Sequence, residues 1–272
     1  MNAEATDIEI RRALRRSAVY GILARAFGFP SDERRREMAT LAGGLDVLGA
    51  ASEAQAAALV AAYQTTPQAA ERYARLFTHS SSRDCPSFET AYTAWEIFQQ
   101  TQEMADIAGF YAAFGVQIAP SGDRPDSVTT ELEFMGFLAA KEAYARQHLG
   151  AARTGQARRA QRLFLREHLG CWGPAFGRRL ATIDADGWYG RAGVLLARWL
   201  GEECEALSAP PASVIDAPRL HWGAPDSDTC GPEESEDPCA GCDLAPGAAP
   251  PVSIQSSGGA MPLPLVEQVR HA

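Results

Sequence analysis

Apolar residues recur at helical spacing through the first 206 residues, and this pattern constrains the fold more than any other feature. Leu14, Ala18 and Ile22 lie four residues apart, as residues on one helix face do. No segment in this part of the chain alternates apolar and polar residues as a half-buried strand would. Such a chain can bury apolar surface only by packing helices on helices, so the pattern predicts an all-α fold with one helical-bundle domain.

Capping residues and breaks in the periodicity divide this part of the chain into about nine helices. Ser31 is a suitable N-cap for the second, and Pro67 is a good first-turn residue for the fourth. The predicted helices lie near residues 7–27, 32–42, 51–64, 67–77, 91–115, 127–148, 156–169, 173–183 and 187–206. We therefore predict a domain of about nine helices over residues 1–207.

The composition changes after residue 207. Residues 208–272 hold 11 of the 17 prolines, nine acidic residues and two arginines, which is a net charge of −7 out of −9 for the whole chain. So polar and proline-rich a segment buries too little apolar surface to offset the entropy lost on ordering. We expect residues 208–272 to be a mostly disordered acidic tail.

Charge and motif content exclude several classes of function. A net charge of −9 argues against nucleic-acid binding and mildly favours a basic partner. No stretch is apolar and long enough to span a bilayer, and the N-terminal region lacks the apolar core and cleavage site of an export signal. We expect a cytoplasmic protein without membrane insertion. The phosphate-binding, dinucleotide, zinc-protease and hydrolase motifs are absent, which lowers the expectation of an enzyme without excluding one.

A group of cysteines in the tail has spacing that is compatible with metal binding. Cys239 and Cys242 form a C-x-x-C pair, and Cys230 with His221 brings the number of candidate ligands to four. Structural zinc or an iron–sulfur cluster is one interpretation. The alternatives are a disordered tail with incidental thiols and a redox-active dithiol.

The stretch RPDSVTTELEFM at 124–135 places an acid on an apolar helix face. At 100° per residue, Glu131 lies on the same side as Val128, Leu132 and Met135. An unpaired buried carboxylate is costly. Glu131 therefore either pairs internally, for example with Arg124, or awaits an arginine of a partner.

Three other residues of the two polar loops have both a structural and a functional interpretation. Asp126 or Ser127 can cap the following helix, and either can belong to a partner site as well. Phe88 lies in a polar loop beside a proline, which favours an exposed anchor for a partner. The aromatic residues of the next helices are predicted to be core: Phe110, Tyr111, Phe114 and Phe134.

Two loop–helix junctions, YARLFTHSSSRDCPSFETAY at 73–92 and DIAGFYAAFGVQIAPSGDRPDSVTTELEFMGFLAAKEAY at 106–144, resemble the TorD/DmsD/NarJ family of molybdoenzyme maturation chaperones. The resemblance covers roughly residues 10–206. The chain departs from the family pattern at Ser87 (usually proline), Thr90 (usually serine) and Ser127 (usually histidine). The matching residues are Tyr73, Leu76, Phe77, Pro86, Phe88, Glu89, Gly109, Phe110, Tyr111, Phe114, Gly115, Arg124, Pro125, Asp126, Glu131, Leu132, Phe134 and Met135.

The resemblance implies a cytoplasmic chaperone that needs no cofactor. Its partner would be the apo catalytic subunit of a molybdopterin-containing oxidoreductase, bound at its N-terminal or twin-arginine signal region until the cofactor is inserted. A signal with arginines and an apolar run needs an apolar groove with acids at its edge. The residues assigned to this partner-peptide site are Phe77, Pro86, Phe88, Glu89, Tyr92, Arg124, Asp126, Ser127 and Glu131.

Other hypotheses remain open at this stage. A metal or iron–sulfur carrier acting through the tail cysteines is the main alternative, and a nucleotide hydrolase on a helical scaffold is a third. Family resemblance also allows for a homodimer formed by helix exchange.

Overall fold

The computed structural model describes residues 3–46, 50–64, 68–77, 85–119 and 123–219. These residues form ten α-helices and no strand, which confirms the predicted all-α class. The helices are α1 (Ala3–Phe27), α2 (Asp32–Ala42), α3 (Ala51–Gln64), α4 (Ala69–Phe77), α5 (Thr90–Thr93), α6 (Ile97–Ala113), α7 (Val128–His148), α8 (Ala151–Glu167), α9 (Leu169–Ile183) and α10 (Trp188–Ala206).

Two closely packed helix pairs form the centre of the bundle. Helix α1 packs along α7, where a Cβ added at Gly136 would lie 3.4 Å from the Ser17 carbonyl oxygen. Helix α9 packs along α10, where a Cβ at Gly177 would lie only 2.6 Å from the Gly193 carbonyl oxygen. Glycine at these crossings therefore allows the backbones to approach.

Large aromatic side chains fill the space between the helices. Tyr20, Trp172, Trp188 and Phe164 are among the largest side chains with no more than 2% exposure. The predicted core residues also lie here: Tyr111 and Phe134 are buried, and Phe110 and Phe114 are partly buried against the same cluster. The core thus joins the C-terminal helices to α6 and α7.

One predicted helix is interrupted, which explains why there are ten described helices rather than about nine. The segment predicted as a single helix over 91–115 forms α5 and α6, separated by an extended stretch at Ala94–Glu96. At this break the Trp95 N–H donates to the Gln99 side chain. The backbone N–H of Arg219 donates to the Ala91 carbonyl of α5 over 2.8 Å, and its guanidinium donates to the carbonyl of Thr93, the last residue of α5. A residue far along the chain thus supplies a bond at the break, and helical periodicity could not reveal it.

Three further helices begin earlier than predicted. Helix α1 starts at Ala3 rather than 7. Helix α8 starts at Ala151 rather than 156, after Gly150 adopts a φ of 79° that turns the chain. Helix α9 starts at Leu169 rather than 173, directly after His168. The first turn of α8 holds no large apolar residue, so it carries little of the apolar pattern on which the prediction relied. The first turn of α9 does hold Leu169 and Trp172, both fully buried, and the prediction missed it.

Residues 208–219, assigned to the tail from composition, lie on the helices in the structure. Ala209 is fully buried and Ile215 is 5% exposed. The backbone N–H groups of Ala212 and Ile215 donate to the carbonyls of Arg166 and Cys171. The described structure therefore continues past residue 207, because the few apolar side chains of this stretch lie against the helices, and a mostly disordered tail stays a prediction. Residues 220–272 lie outside the described residues.

No helix in the described ranges is both long and apolar enough to cross a membrane.

Candidate functional site

The two junctions that carry the sequence motifs lie against each other. Phe88 and Ser127 form an isolated antiparallel bridge. The Val128 N–H donates to the Ser87 carbonyl over 2.9 Å, and the Glu89 N–H donates to the Asp126 carbonyl over 2.8 Å. The loop before α5 is therefore held to the N-terminus of α7, although 37 or more positions separate the bonded residues in the numbering of the chain.

Asp126 holds this junction together from the inside. Its carboxylate is fully buried and accepts two hydrogen bonds from Arg124, both of 2.9 Å. It also accepts a 2.7 Å bond from the Thr90 hydroxyl and a bond from the Thr90 N–H at the start of α5. Asp126 thus accepts hydrogen bonds from the first residue of α5. Ser127 caps α7, because its Oγ accepts the Thr130 N–H over 3.2 Å.

Arg124 and Phe88 form the outer layer of the junction. The guanidinium carbon of Arg124 lies 4.2 Å from the centre of the Phe88 ring, which is a cation–π contact. The Arg124 side chain keeps 39% exposure, while Phe88 is half-buried beneath it. Arg124 therefore covers part of the Phe88 ring, which the sequence predicted to be an exposed anchor.

Glu131 is fully buried next to a second carboxyl group. Its Oε2 accepts the indole N–H of Trp172 over 3.2 Å. Burial, followed by the nearby charge of Glu89, raises the pKa of Glu131 well above its ordinary value. The internal pair with Arg124 that the sequence suggested is not formed, because both Arg124 nitrogens that face the acids bond to Asp126.

Glu89 completes a buried acid group with Glu131 and His168. One Glu89 oxygen lies 3.2 Å from His168 Nδ1, at the end of α8. The other Glu89 oxygen and Oε1 of Glu131 accept no hydrogen bond from the described residues if both acids are ionised. A proton on Glu131 that is donated to Glu89 satisfies both groups, which agrees with the raised pKa of Glu131.

The remaining predicted site residues are divided between the interior and another part of the surface. Tyr92 is fully buried, with its ring 5.2 Å from that of Trp172, and Pro86 is buried as well. Phe77 is partly buried in a separate aromatic cluster with Tyr73 and Tyr189. Most of the predicted site is therefore a buried framework rather than an exposed groove.

The exposed apolar surface lies beside this framework, at the break between α5 and α6. Trp95 and Ile97 are each 68% exposed and Phe98 is 87% exposed. We call these three residues the α5–α6 corner. Arg219 covers part of it, with its guanidinium carbon 4.8 Å from the centre of the Trp95 ring.

The outer face of α6 continues the corner with small residues. Gln102, Ala105 and Gly109 follow Phe98 on one exposed side of the helix. A Cβ added at Gly109 would meet no atom within 4 Å, so the described residues leave open space at this position. The charged residues of α6 are all acidic, with Asp106 exposed next to this face.

Sequence reasoning missed the corner, although one signal for it was present. Phe98 points away from the stripe of Met104, Ile107 and Tyr111 when α6 is drawn at 100° per residue. Treating residues 91–115 as one helix hid this disagreement. His168 and Trp172 had no such signal, because only the packing of α8 and α9 brings them to Glu89 and Glu131.

The predicted metal ligands His221, Cys230, Cys239 and Cys242 lie outside the described residues, so zinc or iron–sulfur binding there stays a prediction. Within the described ranges, no group of three or more His, Cys, Asp or Glu side chains is arranged to hold a metal ion.

Comparison with known proteins identifies relatives over most of the helical part. The family model described as nitrate reductase delta subunit matches residues 45–178. The perchlorate reductase assembly chaperone protein of Dechloromonas aromatica is 31% identical over 184 residues, which is 64% of this chain and 81% of that protein. The selenate reductase assembly chaperone protein of Thauera selenatis is 38% identical over 109 residues, or 38% of this chain and 50% of that protein. Chaperone protein TorD of Vibrio cholerae is 28% identical over 135 residues, or 48% of this chain and 59% of that protein.

Proposed function

Because this chain belongs to the TorD/DmsD/NarJ family of molybdoenzyme maturation chaperones, we propose that it binds the apo catalytic subunit of a molybdopterin-containing oxidoreductase. The segment bound is the N-terminal region of that subunit, with a twin-arginine signal as the favoured form. Binding takes place in the cytoplasm, delays export and keeps the subunit open until its cofactor is inserted. The protein itself catalyses no reaction in this proposal.

The observation that carries the proposed site is the exposed α5–α6 corner with the acids next to it. Trp95, Ile97 and Phe98 are large apolar side chains that lie next to one another and are exposed. A contiguous exposed apolar patch of this kind commonly marks an interaction site. Glu96 lies within the corner, and Asp106 lies beside the outer face of α6. A segment that combines apolar residues with arginines matches both the apolar surface and the negative charge.

The residues with motif matches then have a supporting role. Asp126 is already neutralised by Arg124, so its carboxylate is not free to receive a partner's arginine. It fixes the start of α5 through Thr90, and α5 leads directly to Trp95. In the proposal, Asp126, Glu89 and Glu131 set the position of the corner, while Phe88 and Arg124 extend the contact surface.

The test is to identify the client and then measure binding of its N-terminal segment. The tagged full-length chain is purified from its host, and co-purifying proteins are identified by mass spectrometry. The first 40 or so residues of the client are synthesised with a fluorophore and titrated against wild type, Trp95→Ser/Phe98→Ser and Val194→Ser. Val194 is a matched control because it is 49% exposed on α10.

The expected client is a molybdopterin-type catalytic subunit without its cofactor. Its peptide should bind wild type and Val194→Ser equally and bind the double variant at least about tenfold more weakly, since two exposed anchors are lost. If no such subunit is recovered, the proposed function fails. If the double variant binds as wild type does, the function stands and the corner is not the site.

A further inference from the structure

Four arginines line a cavity on a different part of the bundle. The cavity measures about 240 Å³ and opens between α1, α7, α8 and the end of α10. Its lining residues are Glu9, Arg12, Ala13, Arg16, Glu142, Arg146, Arg158, Ala206 and Leu207. Four arginines against two acids give a positive cavity in a protein whose net charge is −9.

The inner wall of the cavity is a buried network of ion pairs and hydrogen bonds. Arg16 donates to Glu203 over 2.6 Å and to Glu142 over 3.0 Å, and Gln161 joins the same network. The Arg16 side chain is only 9% exposed, and its charged partners raise its pKa although burial alone would lower it. The wall therefore keeps its charges at every physiological pH.

Glu142 accepts hydrogen bonds from three arginines of the cavity. Its Oε2 accepts from Arg16, and its Oε1 accepts from Arg146 and Arg158 over 2.9 Å each. The pKa of Glu142 is lowered: burial opposes this, but bonds from Arg158 and Gln161 and the charge of Arg16 outweigh it. One carboxylate cannot neutralise three guanidinium groups.

Counting the buried Glu203 as well still leaves the cavity with an excess of one positive charge. Glu9 is shared between Arg12, at 3.9 Å, and Arg146, at 3.4 Å. Arginine does not lose its proton in proteins, so this positive charge is present at every physiological pH and is available to an anion from solvent. The most exposed arginines of the cavity are Arg12, 58% exposed, and Arg158, 36% exposed, and they can turn their remaining N–H groups to a ligand.

We infer that this cavity is a binding site for a small polyanion of the phosphate class. Guanidinium groups bind phosphate oxygens in pairs with matched geometry, which favours phosphate over chloride. A volume of about 240 Å³ has room for more than one phosphate group, since a water takes roughly 30 Å³. The site is separate from the α5–α6 corner and does not depend on the proposed chaperone function.

Isothermal titration of the full-length chain with inorganic pyrophosphate, at constant ionic strength set with chloride, tests the site. Wild type should bind one pyrophosphate, and Arg158→Gln should weaken binding by about tenfold or more, because a charged hydrogen-bond donor is lost. Arg198→Gln is the matched control: its side chain is 51% exposed and pairs only with Glu202 on α10. A nucleoside diphosphate is titrated in parallel to distinguish an inorganic ligand from a nucleotide.

A variant with the opposite expected effect separates binding from folding. Glu9→Gln removes an acid from the cavity and should tighten pyrophosphate binding about two- to fivefold, the size of an exposed ion-pair effect. Thermal unfolding without ligand checks that each variant is folded. If wild type takes up neither anion, or if Arg158→Gln and Arg198→Gln bind equally well, the proposed site is wrong. If Glu9→Gln weakens binding, the electrostatic basis is wrong.

Discussion

The carboxyl groups of Glu89 and Glu131 share one buried site, between the loop that precedes α5 and the first turn of α7. Trp172 donates to Glu131, and His168 lies against Glu89. Two ionised carboxylates in so small a buried volume repel each other, so one proton is retained on Glu131. The contact between Glu89 and Glu131 therefore joins the loop before α5 to α7, in addition to the backbone hydrogen bonds between them.

The shared proton predicts a falling stability as the pH rises. The folded protein keeps the Glu131 proton at pH values where the unfolded chain, with a Glu pKa of about 4.3, has released it. The free energy of unfolding should therefore decrease above about pH 4.3, by at most about 1.4 kcal/mol per pH unit from this group. Urea unfolding between pH 4 and 8 measures the free energy of unfolding of wild type and of Glu131→Gln. The stability of the variant relative to wild type should increase with each step to higher pH.

Glu71→Gln is the control for this pH series, because Glu71 is exposed on α4. Its profile should run parallel to that of wild type. A Glu131→Gln profile that is also parallel to wild type would show that the retained proton is not on this acid pair.

Removing Arg124 should destabilise the fold through Asp126. Arg124→Ala leaves a fully buried carboxylate without its main charged partner. The expected loss is about 2–4 kcal/mol, below the value for a fully buried pair because the Arg124 side chain is 39% exposed. Arg178→Ala breaks an ion pair with Asp216 in which both side chains are more than half exposed, and it should cost less than about 1 kcal/mol. Equal losses in denaturant unfolding would contradict the central role of Asp126.

Ser127 should contribute as a helix cap and not as a partner contact. Ser127→Ala removes the acceptor for the Thr130 N–H and should cost about 1 kcal/mol of stability. Since its Oγ bonds to Thr129 and Thr130 of its own helix, affinity for the client peptide should stay within about twofold of wild type. A large loss of affinity without a loss of stability would place Ser127 in the partner site instead.

The contact between α9 and α10 predicts opposite effects for two glycine substitutions. Gly177→Ala puts a methyl group against the Gly193 carbonyl oxygen, and the backbones must separate, which should cost about 1–3 kcal/mol. Gly201→Ala on α10 meets no atom within 4 Å and should stabilise the protein by about 0.5–1 kcal/mol through helix propensity. Thermal unfolding of the two variants measures both effects, and a stable Gly177→Ala variant would disprove the close approach.

The local pattern of the chain was sufficient to predict most of the helices. Helices α2, α3, α7 and α10 lie where periodicity and capping residues placed them, because both signals come from neighbours within a few positions. The break between α5 and α6 was not predictable in this way, since Arg219 reaches it from the far end of the described chain.

By itself, the sequence determined the helical class, the family resemblance and the set of residues around the two loops. Only the tertiary structure decided what those residues do: Asp126 is neutralised by Arg124, Glu131 is paired with Glu89, and the exposed apolar surface is at Phe98. The physical reason is that burial and charge pairing depend on which helices meet. Helical spacing records the direction of a side chain but not its neighbour from another helix.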